Sequence, residues 1–253
     1  MPIVKMRTNA PTESLPIWQR QDEARRRYVR EMFARIAPRY DLLNTVLSLA
    51  MHHRWRQQVV HMLELKPTAR VLDVCTGTGD LALQIARQIG PAGAVVALDF
   101  CEPMLQRARQ KARQQGLNHI YYVQADALQL PFAPESFDAV TIAFGLRNLI
   151  DKSEAFREMA RVLKSGGRVA VLELTCPLSA PVRQLYNLYT LHLLPRIGKW
   201  LSDAEAYHYL PLSIRHYEDR ATIAEYMTQA GFTPVYYCDL TLGVVCAHIG
   251  VKR

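Results

Sequence analysis

The amino-acid sequence predicts an α/β fold in which a mostly parallel sheet ends in an antiparallel hairpin. Apolar strand-like runs alternate with amphipathic helical stretches from residue 70 onward, which is typical of a parallel sheet covered by helices on both faces. The last two apolar runs are separated by a turn too short for a crossover helix, so these strands must pair antiparallel. The length of 253 residues suits one such domain with a small appendage.

Five strands are expected in the alternating region and two in the closing hairpin. Their predicted bounds are Arg70–Cys75, Ala94–Phe100, Ile120–Ala125, Phe137–Phe144 and Gly167–Leu174, followed by Pro234–Leu240 and Val244–Ile249. The helices between them are predicted at Asp80–Ile89, Pro103–Gln115 and Asp151–Lys164. In the last helix, Asp151 and Glu154 have the spacing of a capping box, and Gly166 is expected to cap the carboxyl end.

The regions outside these units are expected to form a tail, a cover and an insertion. Residues 1–16 contain several prolines and predict a flexible tail, whereas residues 17–66 predict N-terminal helices that cover the site. Helices are expected at Trp18–Ala37, with an arginine-rich polar face at Arg25–Arg30, and at Arg54–Leu65. Residues 67–253 are expected to form the ligand-binding domain, in which about 176–218 are a helical insertion over the carboxyl edge of the sheet.

The composition excludes several protein classes. Hydrophobic residues make up 49% and charged residues 21% of the chain, which excludes a disordered or fibrous protein. The 31 basic and 23 acidic residues give a net charge of +8, which favours an anionic partner such as nucleic acid, an acidic membrane surface or a charged small molecule. The cysteines form no paired motif, so we expect no metal site, no disulfide framework and a cytoplasmic location.

The strongest chemical signal is a glycine-rich turn between the first strand and the following helix. It reads Asp73-Val-Cys-Thr-Gly77-Thr78-Gly79, where glycine permits a sharp turn and lets a ligand approach the backbone. Acidic residues stand at the ends of the next two strands, with Asp99 at the end of the second and Asp126-Ala127 at the end of the third. Because ligands of open parallel sheets bind at the carboxyl ends of the strands, these positions predict one site, in which Asp99 accepts ribose hydroxyls and Asp126-Ala127 reach an adenine edge.

Two cofactors fit this turn. Gly77, Gly79 and Ala82 match the dinucleotide fingerprint G-x-G-x-x-A, which is weak evidence alone, and the glycines could also serve only to shape the turn. S-adenosylmethionine is favoured by Asp73, which would repel a pyrophosphate and hold a cationic ligand, and by the closing hairpin. The chain also contains no Tyr-x-x-x-Lys pair of the kind that would donate a proton.

Several segments carry a resemblance to known families. RVLDVCTGTGDLAL, VVALDFCEPMLQRARQK, DALQLPFAPESFDAVTIAFGLRNL and REMARVLKSGGRVAVLEL resemble successive motifs of class I S-adenosylmethionine-dependent methyltransferases. FGLRN, LPRIGKW, LTLGVVCAHIG and RIAPRYDLLNTVLSLAMHHRWR resemble, more narrowly, the ubiquinone/menaquinone biosynthesis C-methyltransferase family. The match covers roughly Phe33 to Val251 and implies a seven-stranded, mostly parallel Rossmann-like sheet, with Thr78, Asp99 and Asp126-Ala127 contacting the cofactor.

The sequence departs from that family at two positions. Ala143 stands where many members have a serine that contacts the cofactor, so that contact is not expected here. Ala50 stands where the family often has glycine, a change that would reshape a turn.

The resemblance implies C-methylation of a reduced polyprenyl quinone, for which demethylmenaquinol is the preferred substrate. VLDVCTGTGD and ALDF look closer to menaquinone-type members, whereas 2-polyprenyl-6-methoxy-1,4-benzoquinol is the substrate if the chain serves ubiquinone biosynthesis. The net charge leaves a nucleic-acid methyltransferase as another reading, although the Asn/Asp-Pro-Pro-aromatic segment common in base N-methylation is absent and we expect no nucleic-acid partner. A non-catalytic scaffold in quinone biosynthesis is the third reading.

The candidate catalytic residues lie in FGLRN, just beyond the fourth strand. Arg147 could stabilise a phenolate or orient a water that takes the proton, since a guanidinium is itself a poor base. Asn148 could orient the ring oxygen or that water. The alternatives are a surface salt bridge from Arg147 to a residue such as Asp151, and a helix cap for Asn148.

Other residues are weaker candidates. His192, His208 and His216 could be general bases or ordinary solvent-facing histidines, and Tyr207, Tyr209 and Arg215 could line a ring pocket or pack in the core. His52, His53 and Trp55 are expected at the surface or in a lid.

A polyprenyl tail would place the mouth of the site at a membrane. Residues 186–194, followed by Arg196, Lys199 and Trp200, have an interfacial composition but would equally suit a buried helix. The arginines of Arg25–Arg30 could add attraction to anionic lipid at the inner face of the cytoplasmic membrane, although solvation is the commoner role of such a run. The resemblance also implies a possible homodimer.

Overall fold

The computed structural model describes residues 15–189 and 204–253, with the backbone alone for residues 204–207. Its helices are α1 (Glu23–Ile36), α2 (Tyr40–Leu47), α3 (Met51–Met62), α4 (Asp80–Ile89), α5 (Glu102–Gln114), α6 (Lys152–Val162), α7 (Ala180–Leu188), α8 (Ala204–Arg215) and α9 (Arg220–Gln229). Its strands are β1 (Arg70–Val74), β2 (Ala94–Asp99), β3 (Ile120–Gln124), β4 (Phe137–Ala143), β5 (Leu163–Leu174), β6 (Phe232–Leu240) and β7 (Val245–Lys252).

The strands form one seven-stranded sheet in the order β3-β2-β1-β4-β5-β7-β6. The pairs among β1 to β5 are parallel, whereas β7 runs antiparallel to both β5 and β6. This arrangement confirms the predicted mostly parallel sheet with its antiparallel hairpin.

Alternating residues of the central strands pack on opposite faces of the sheet. Val71 faces the layer built by α3 and α4, whereas the next residue, Leu72, faces the layer that contains Phe156 of α6 and Ile223 of α9. Because both faces are covered, the strands are apolar almost throughout, and their carboxyl ends remain the open edge at which a ligand can bind.

The end of helix α6 differs from the prediction. Asp151 caps its start by accepting the amide of Glu154, at 2.8 Å, as the capping-box spacing indicates. The helix nevertheless ends without a glycine cap, because Leu163 is already extended and pairs with Phe137 of β4. Gly166 lies within β5 with φ +75°, so its predicted role as the helix cap is wrong.

The N-terminal helices also have different bounds from those expected. The predicted helix at Trp18–Ala37 begins at Glu23, after the N-cap Asp22, and the predicted helix at Arg54–Leu65 is the second part of a pair, α2 and α3. A turn with left-handed backbone at Leu49 (φ 50°) and Ala50 (φ 60°) separates this pair, so Ala50 lies at a turn position that favours glycine. None of the helices in residues 15–189 and 204–253 is long and apolar enough to cross a membrane.

Candidate functional site

A cavity of about 980 Å³ lies at the carboxyl ends of β1 to β4. Its lining includes every predicted cofactor residue except Gly79, namely Asp73, Gly77, Thr78, Asp99, Asp126 and Ala127. Gly79 lies behind the turn at the start of α4, where a Cβ would approach the Cβ of Ala108 to 2.9 Å. Glycine is therefore needed at position 79 for helix packing rather than for contact with a ligand. We call this space the cofactor cavity.

Asp99 is held in a fixed orientation at the floor of the cofactor cavity. Its Oδ2 accepts the amide of Gly77 at 2.8 Å, and its Oδ1 accepts the amide of Cys101 at 2.9 Å. Burial raises the pKa of Asp99 to about 6, although the amides act to lower it. The remaining lone pairs of this preoriented carboxylate suit ribose hydroxyl groups.

Asp73 is a second buried carboxylate beside the glycine turn. The hydroxyls of Thr76 and Thr141 donate to its two oxygens at 2.5 and 2.7 Å. Burial raises the pKa of Asp73 to about 6, and the positive charge of Arg56 opposes this rise. A cationic ligand next to Asp73 would stabilise its ionised form, whereas a pyrophosphate would destabilise it.

Two predicted cofactor residues are hydrogen-bonded to the N-terminal helices. The hydroxyl of Thr78 donates to Asp41 of α2, and Arg26 of α1 donates to Asp126. These contacts join α1 and α2 to residues that line the cofactor cavity. They also mean that the hydroxyl of Thr78 already has a protein acceptor.

A second cavity, of about 1090 Å³, adjoins the cofactor cavity. The two share the side chains of Phe33, Tyr40, Arg56 and Phe144 as lining. Its other walls are mostly apolar or aromatic and come from α1, α2, α7 and α8, with Met32, Ile36, Leu43, Leu47, Tyr186, Tyr189, Tyr209 and Ile214. We call this space the aromatic cavity. Tyr209, a candidate for a ring pocket, lines it, whereas the four shared residues were not among the predicted site residues.

Tyr40 and Phe144 stand where the two cavities meet. A Cβ placed on Gly77 would lie 3.9 Å from the Cε1 of Tyr40, so this ring lies over the glycine turn. Burial raises the pKa of Tyr40, which keeps its hydroxyl protonated and able to donate. Phe144 has a left-handed backbone, with φ 58°, and turns the chain between β4 and Arg147. RYDLLN and the FGLRN motif contain these residues, but their packing could not be derived from spacing.

Arg147 lines the aromatic cavity and is buried, with 7% of its surface exposed. Its Nη1 donates to Glu173 Oε1 at 2.8 Å and to the carbonyl of Phe144 at 2.5 Å. Burial alone would lower the pKa of Arg147, but the Glu173 carboxylate outweighs it and the pKa is raised, so the guanidinium stays charged. The alternative of a surface salt bridge to Asp151 is wrong, because Arg147 forms a buried pair with Glu173.

Glu173 is a residue that the sequence analysis missed. It is 1% exposed at the end of the apolar strand GRVAVLEL. A single acidic residue in an otherwise apolar strand could have indicated this residue, because a buried carboxylate needs a hydrogen-bonding or charged partner.

Asn148 faces the cofactor cavity rather than the aromatic cavity. It ends a short 3-10 turn, Leu146–Asn148, and its Oδ1 accepts the hydroxyl of Tyr209 at 3.0 Å. Because Asp151 caps α6, the alternative reading of Asn148 as that cap is wrong. Asn148 is thus placed between a buried tyrosine and the cofactor cavity.

The weaker candidates separate by burial. His52 and Trp55, expected at the surface, are buried at 3% and 5% exposed because α3 packs on the sheet. His53, His208, His216 and Arg215 are exposed, whereas Tyr209 is buried and lines the aromatic cavity. His192, the side chain of Tyr207, and Arg196, Lys199 and Trp200 lie outside the described residues.

His52 is held by neighbours that leave it neutral. Burial and the nearby Arg56 lower the pKa of His52 to about 4. Arg56 Nη1 contacts its Nδ1, and Thr45 Oγ1 lies 3.2 Å from its Nε2. Both ring nitrogens are therefore already hydrogen-bonded, which makes His52 unsuited to act as a base.

One group among the described residues has the spacing of metal ligands. His52, His53 and Asp80 offer ligand atoms within 4.8 Å of one another. Lys111 and Arg56 lie 2.5 and 3.6 Å from the Asp80 carboxylate oxygens, so its charge is already compensated by cations.

Comparison with known proteins identifies the family. The model of the ubiE/COQ5 methyltransferase family matches residues 20–252. The chain belongs to this family. A protein of Proteus mirabilis named ubiquinone/menaquinone biosynthesis C-methyltransferase UbiE is 42% identical over 226 residues, which are 88% of this chain and 90% of that protein. A Yersinia pestis protein of the same name is 43% identical over the same shares of the two chains.

Solved structures show the same fold at lower sequence identity. A SAM-dependent methyltransferase from Aquifex aeolicus matches with a TM-score of 0.57 and 18% identity, over 78% of this chain and 88% of that chain. The [4+2]-cyclase SpnF matches with a TM-score of 0.66 and 18% identity, over 89% and 95%. Because a cyclase shares the fold, the fold alone does not fix the reaction.

Family membership makes the protein an S-adenosylmethionine-dependent methyltransferase. The cofactor cavity fits this cofactor, since a preoriented carboxylate, a left-handed glycine at position 77 and the buried Asp73 meet there. Asp99 would hold the ribose, and Asp73 the cationic amino-acid part of the ligand.

Proposed function

We propose that this protein methylates a ring carbon of demethylmenaquinol to give menaquinol. The observation that carries the proposal is the aromatic cavity, which adjoins the cofactor cavity and holds a buried, charged arginine in a mostly apolar wall. A polyprenyl quinol has the matching chemistry, with an apolar ring and tail and polar ring oxygens. The names of the relatives, which refer to quinone biosynthesis, support this substrate class.

The reaction needs an electron-rich ring. When bound, the sulfonium cofactor supplies an electrophilic methyl group. A quinol hydroxyl, with an ordinary pKa of about 10, must lose its proton at least partly so that electron density reaches the neighbouring ring carbon. The ring carbon then takes the methyl group as the sulfur–methyl bond breaks, which leaves a neutral thioether. The same carbon loses its hydrogen as a proton while the ring oxygen regains one, so the aromatic quinol is restored and one proton leaves overall.

The residues of the aromatic cavity favour this ionisation. The guanidinium of Arg147 stabilises the phenolate oxygen in surroundings from which water is largely excluded. It cannot itself take the proton, because its pKa is held above its ordinary value. On the cofactor-cavity side of the same turn, Asn148, hydrogen-bonded to Tyr209, orients the ring oxygen or a water that accepts the proton. Phe33, Tyr40 and Phe144 hold the ring next to the cofactor cavity.

The second candidate substrate is 2-polyprenyl-6-methoxy-1,4-benzoquinol. Relatives are named for both ubiquinone and menaquinone biosynthesis, which keeps both head groups open. Product mass spectrometry after incubation with S-adenosylmethionine and each reduced quinone tests the choice. We expect the naphthoquinol to be methylated faster, and faster turnover of the benzoquinol would assign the protein to ubiquinone biosynthesis instead. A salt-dependent gel shift with RNA or DNA would favour the nucleic-acid alternative.

We also propose that the mouth of the aromatic cavity contacts the inner face of the cytoplasmic membrane. The hydroxyl of Tyr189 donates to the carbonyl of Leu47 at 2.7 Å, which joins the ends of α7 and α2 beside this cavity. Large apolar side chains are exposed along the same two segments, namely Leu42, Val46, Leu49, Leu185 and Leu188. We call them the leucine surface. Its burial in lipid would let the substrate tail leave the bilayer without crossing water.

Vesicle sedimentation tests this contact. The variant Leu185→Ser/Leu188→Ser should bind less than the wild type to vesicles of mixed neutral and anionic lipid, whereas Tyr121→Ser, which changes a side chain that is 58% exposed on the edge strand β3 and lines neither cavity, should not. Equal binding by all three proteins would contradict the proposal. The positive net charge also predicts stronger binding to anionic than to neutral vesicles. Light scattering of the protein without vesicles tests the expected homodimer.

A further inference from the structure

Neighbouring side chains form hydrogen bonds with both the backbone and the side chain of Arg147. Its amide donates to Glu173 Oε2 at 3.1 Å, and its guanidinium donates to Glu173 Oε1 at 2.8 Å. Its carbonyl accepts a hydrogen bond from Arg25 Nη2 at 2.9 Å. The side chains of Glu173 and Arg25, which are far apart in the sequence, thus bind the amide and the carbonyl of Arg147, respectively.

Both partners are themselves buried and fixed. Glu173 is 1% exposed at the end of β5, where its Oε1 also accepts the amide of Leu174 at 2.9 Å. Arg25 is 6% exposed in α1, and its Nη1 donates to the carbonyl of Arg20 at 3.1 Å. The sequence analysis placed Arg25 on a solvated, basic helix face, which is wrong. Its charge points inward, at the turn that carries Arg147.

We propose that Glu173 and Arg25 are positioning residues that fix the guanidinium of Arg147 at the wall of the aromatic cavity. An arginine side chain has many rotamers and would otherwise be free to move away from an apolar wall. Holding a catalytic cation within a fraction of an ångström matters, because a misplacement of about 1 Å can cost on the order of 10²-fold in rate. This inference rests on the proposed role of Arg147 toward a phenolate.

The charge of Glu173 allows a test that separates positioning from simple electrostatics. The charged and titratable groups around Arg147 are Glu173 of β5, Arg25 of α1, Tyr40 of α2, Tyr186 of α7, Tyr209 of α8 and Tyr217, and the same cavity is also lined by Arg56 and His52 of α3 and by Tyr189. Glu173 is the negative charge among them. If Glu173 were neutralised while Arg147 stayed in place, the loss of a negative charge would stabilise a nearby phenolate and lower the pKa of a bound phenol. If Glu173 positions Arg147, its neutralisation instead weakens the phenolate contact and raises that pKa.

The variants Glu173→Gln and Arg25→Met test the inference. The matched control is Asp239→Asn, which also removes the carboxylate partner of a buried arginine, Arg220, but lines neither cavity. We expect kcat for quinol methylation to fall by roughly 30- to 100-fold in Glu173→Gln. Cofactor affinity should stay within a few-fold of the wild-type value, and Asp239→Asn should keep its kcat, with thermal unfolding of both variants measured so that any loss of stability is compared directly. Arg25→Lys should recover part of the activity that Arg25→Met loses.

A binding measurement checks the inference independently of turnover. The phenolate absorbance of bound 1-naphthol, titrated with pH, should show a pKa that is lowered by the wild-type protein and returns toward its free value in Glu173→Gln and in Arg147→Met. An unchanged or lower pKa in Glu173→Gln, or a kcat loss no larger than that of Asp239→Asn, would overturn the positioning role. Absence of methylated quinol with the wild-type protein, while the naphthol shifts remain, would instead contradict the proposed function.

Discussion

Arg147 and Asn148 are neighbours in the chain but line different cavities. Arg147 faces the aromatic cavity, whereas Asn148 faces the cofactor cavity. The short 3-10 turn that holds them therefore lies between the two spaces. Under the proposed function, this one turn would supply a cation for the ring oxygen and an amide beside the bound cofactor, so variants of the two residues should have separable effects.

Replacement of Arg147 should abolish methyl transfer with little effect on the cofactor. In Arg147→Ala we expect a loss of at least 10²- to 10³-fold in turnover, the usual cost of removing a donor to a developing oxyanion. Calorimetric titration should show cofactor affinity within a few-fold of the wild-type value. Turnover that survives within a few-fold would contradict the role of Arg147.

The same variant needs a stability control. Alanine at position 147 leaves the buried Glu173 without its cation, which is strongly destabilising. The double variant Arg147→Met/Glu173→Gln removes both charges and should recover thermal stability without recovering turnover. Joint recovery of both would show that the loss in Arg147→Ala reflected misfolding.

Cofactor affinity should depend on pH through Asp99. Its pKa is raised to about 6 by burial, and ribose hydroxyls and a cationic ligand both favour the ionised form. We therefore expect affinity to weaken as the pH falls below 6, by up to about tenfold per pH unit. Titration calorimetry between pH 5 and 8 measures this. The variant Asp99→Asn should bind the cofactor more weakly, and its affinity should depend less steeply on pH. The remaining pH dependence would come from Asp73, whose pKa is also about 6.

Asp138→Asn provides the matched control for that experiment. Asp138 lies near the start of β4, where it accepts the amide of Arg70 and pairs with Lys164. It does not line the cofactor cavity. Its replacement should leave both the affinity and the pH dependence unchanged, and an identical effect of the two variants would exclude a specific role for Asp99.

The raised pKa of Asp99 also predicts how the stability of the ligand-free protein depends on pH. Between the unfolded pKa of about 3.9 and the folded pKa of about 6, the native state binds more protons, so the free energy of unfolding falls as the pH rises. A shift of about two units corresponds to a contribution on the order of 2–3 kcal/mol. Urea unfolding should therefore show that Asp99→Asn gains stability relative to the wild type as the pH rises from 4 to 6. A constant difference would contradict this.

We expect the replacement of Ala50 by glycine to increase the free energy of unfolding. Its φ of 60° is a left-handed conformation that costs roughly 1–2 kcal/mol for a residue with a Cβ. Ala50→Gly should remove this strain and raise the free energy of unfolding by up to about 1 kcal/mol after the entropy cost of glycine. Ala221→Gly, in the exposed part of helix α9, should instead lower it. Urea titrations that show equal destabilisation would contradict the strain at Ala50.

The sequence predicted that Asp73, Asp99 and Asp126 share one cavity because they lie at or near the carboxyl ends of consecutive strands, whereas their contacts with the cofactor stay predictions. Strand order and the rule of binding at carboxyl ends are enough to bring Asp73, Asp99 and Asp126 together. The error at Gly166 arose because a glycine after a helix is read as a cap, whereas pairing of Leu163 with Phe137 draws the chain into the sheet first. Tertiary pairing overrode the local signal.

The aromatic cavity could not be predicted in the same way. It forms only when α1, α2, α7 and α8 pack over the sheet, and no spacing along the chain relates Arg25 to Arg147, 122 residues away. Helical periodicity placed Arg25 on a polar face, and a single charged residue can still be buried there when it meets a backbone carbonyl. The Glu173–Arg147 pair was missed for the same reason.

Product mass spectrometry tests the central claim most directly. Wild-type protein and Arg147→Ala are incubated with S-adenosylmethionine and reduced demethylmenaquinone under oxygen-free conditions, and the quinones are extracted and analysed. With the wild type we predict a product heavier by CH2, the net change when a methyl group replaces a ring hydrogen, and fragmentation should place the new group on the ring. With the variant we predict no such product above background. A wild-type protein that binds the cofactor but methylates neither this quinol nor the benzoquinol analogue would contradict the account.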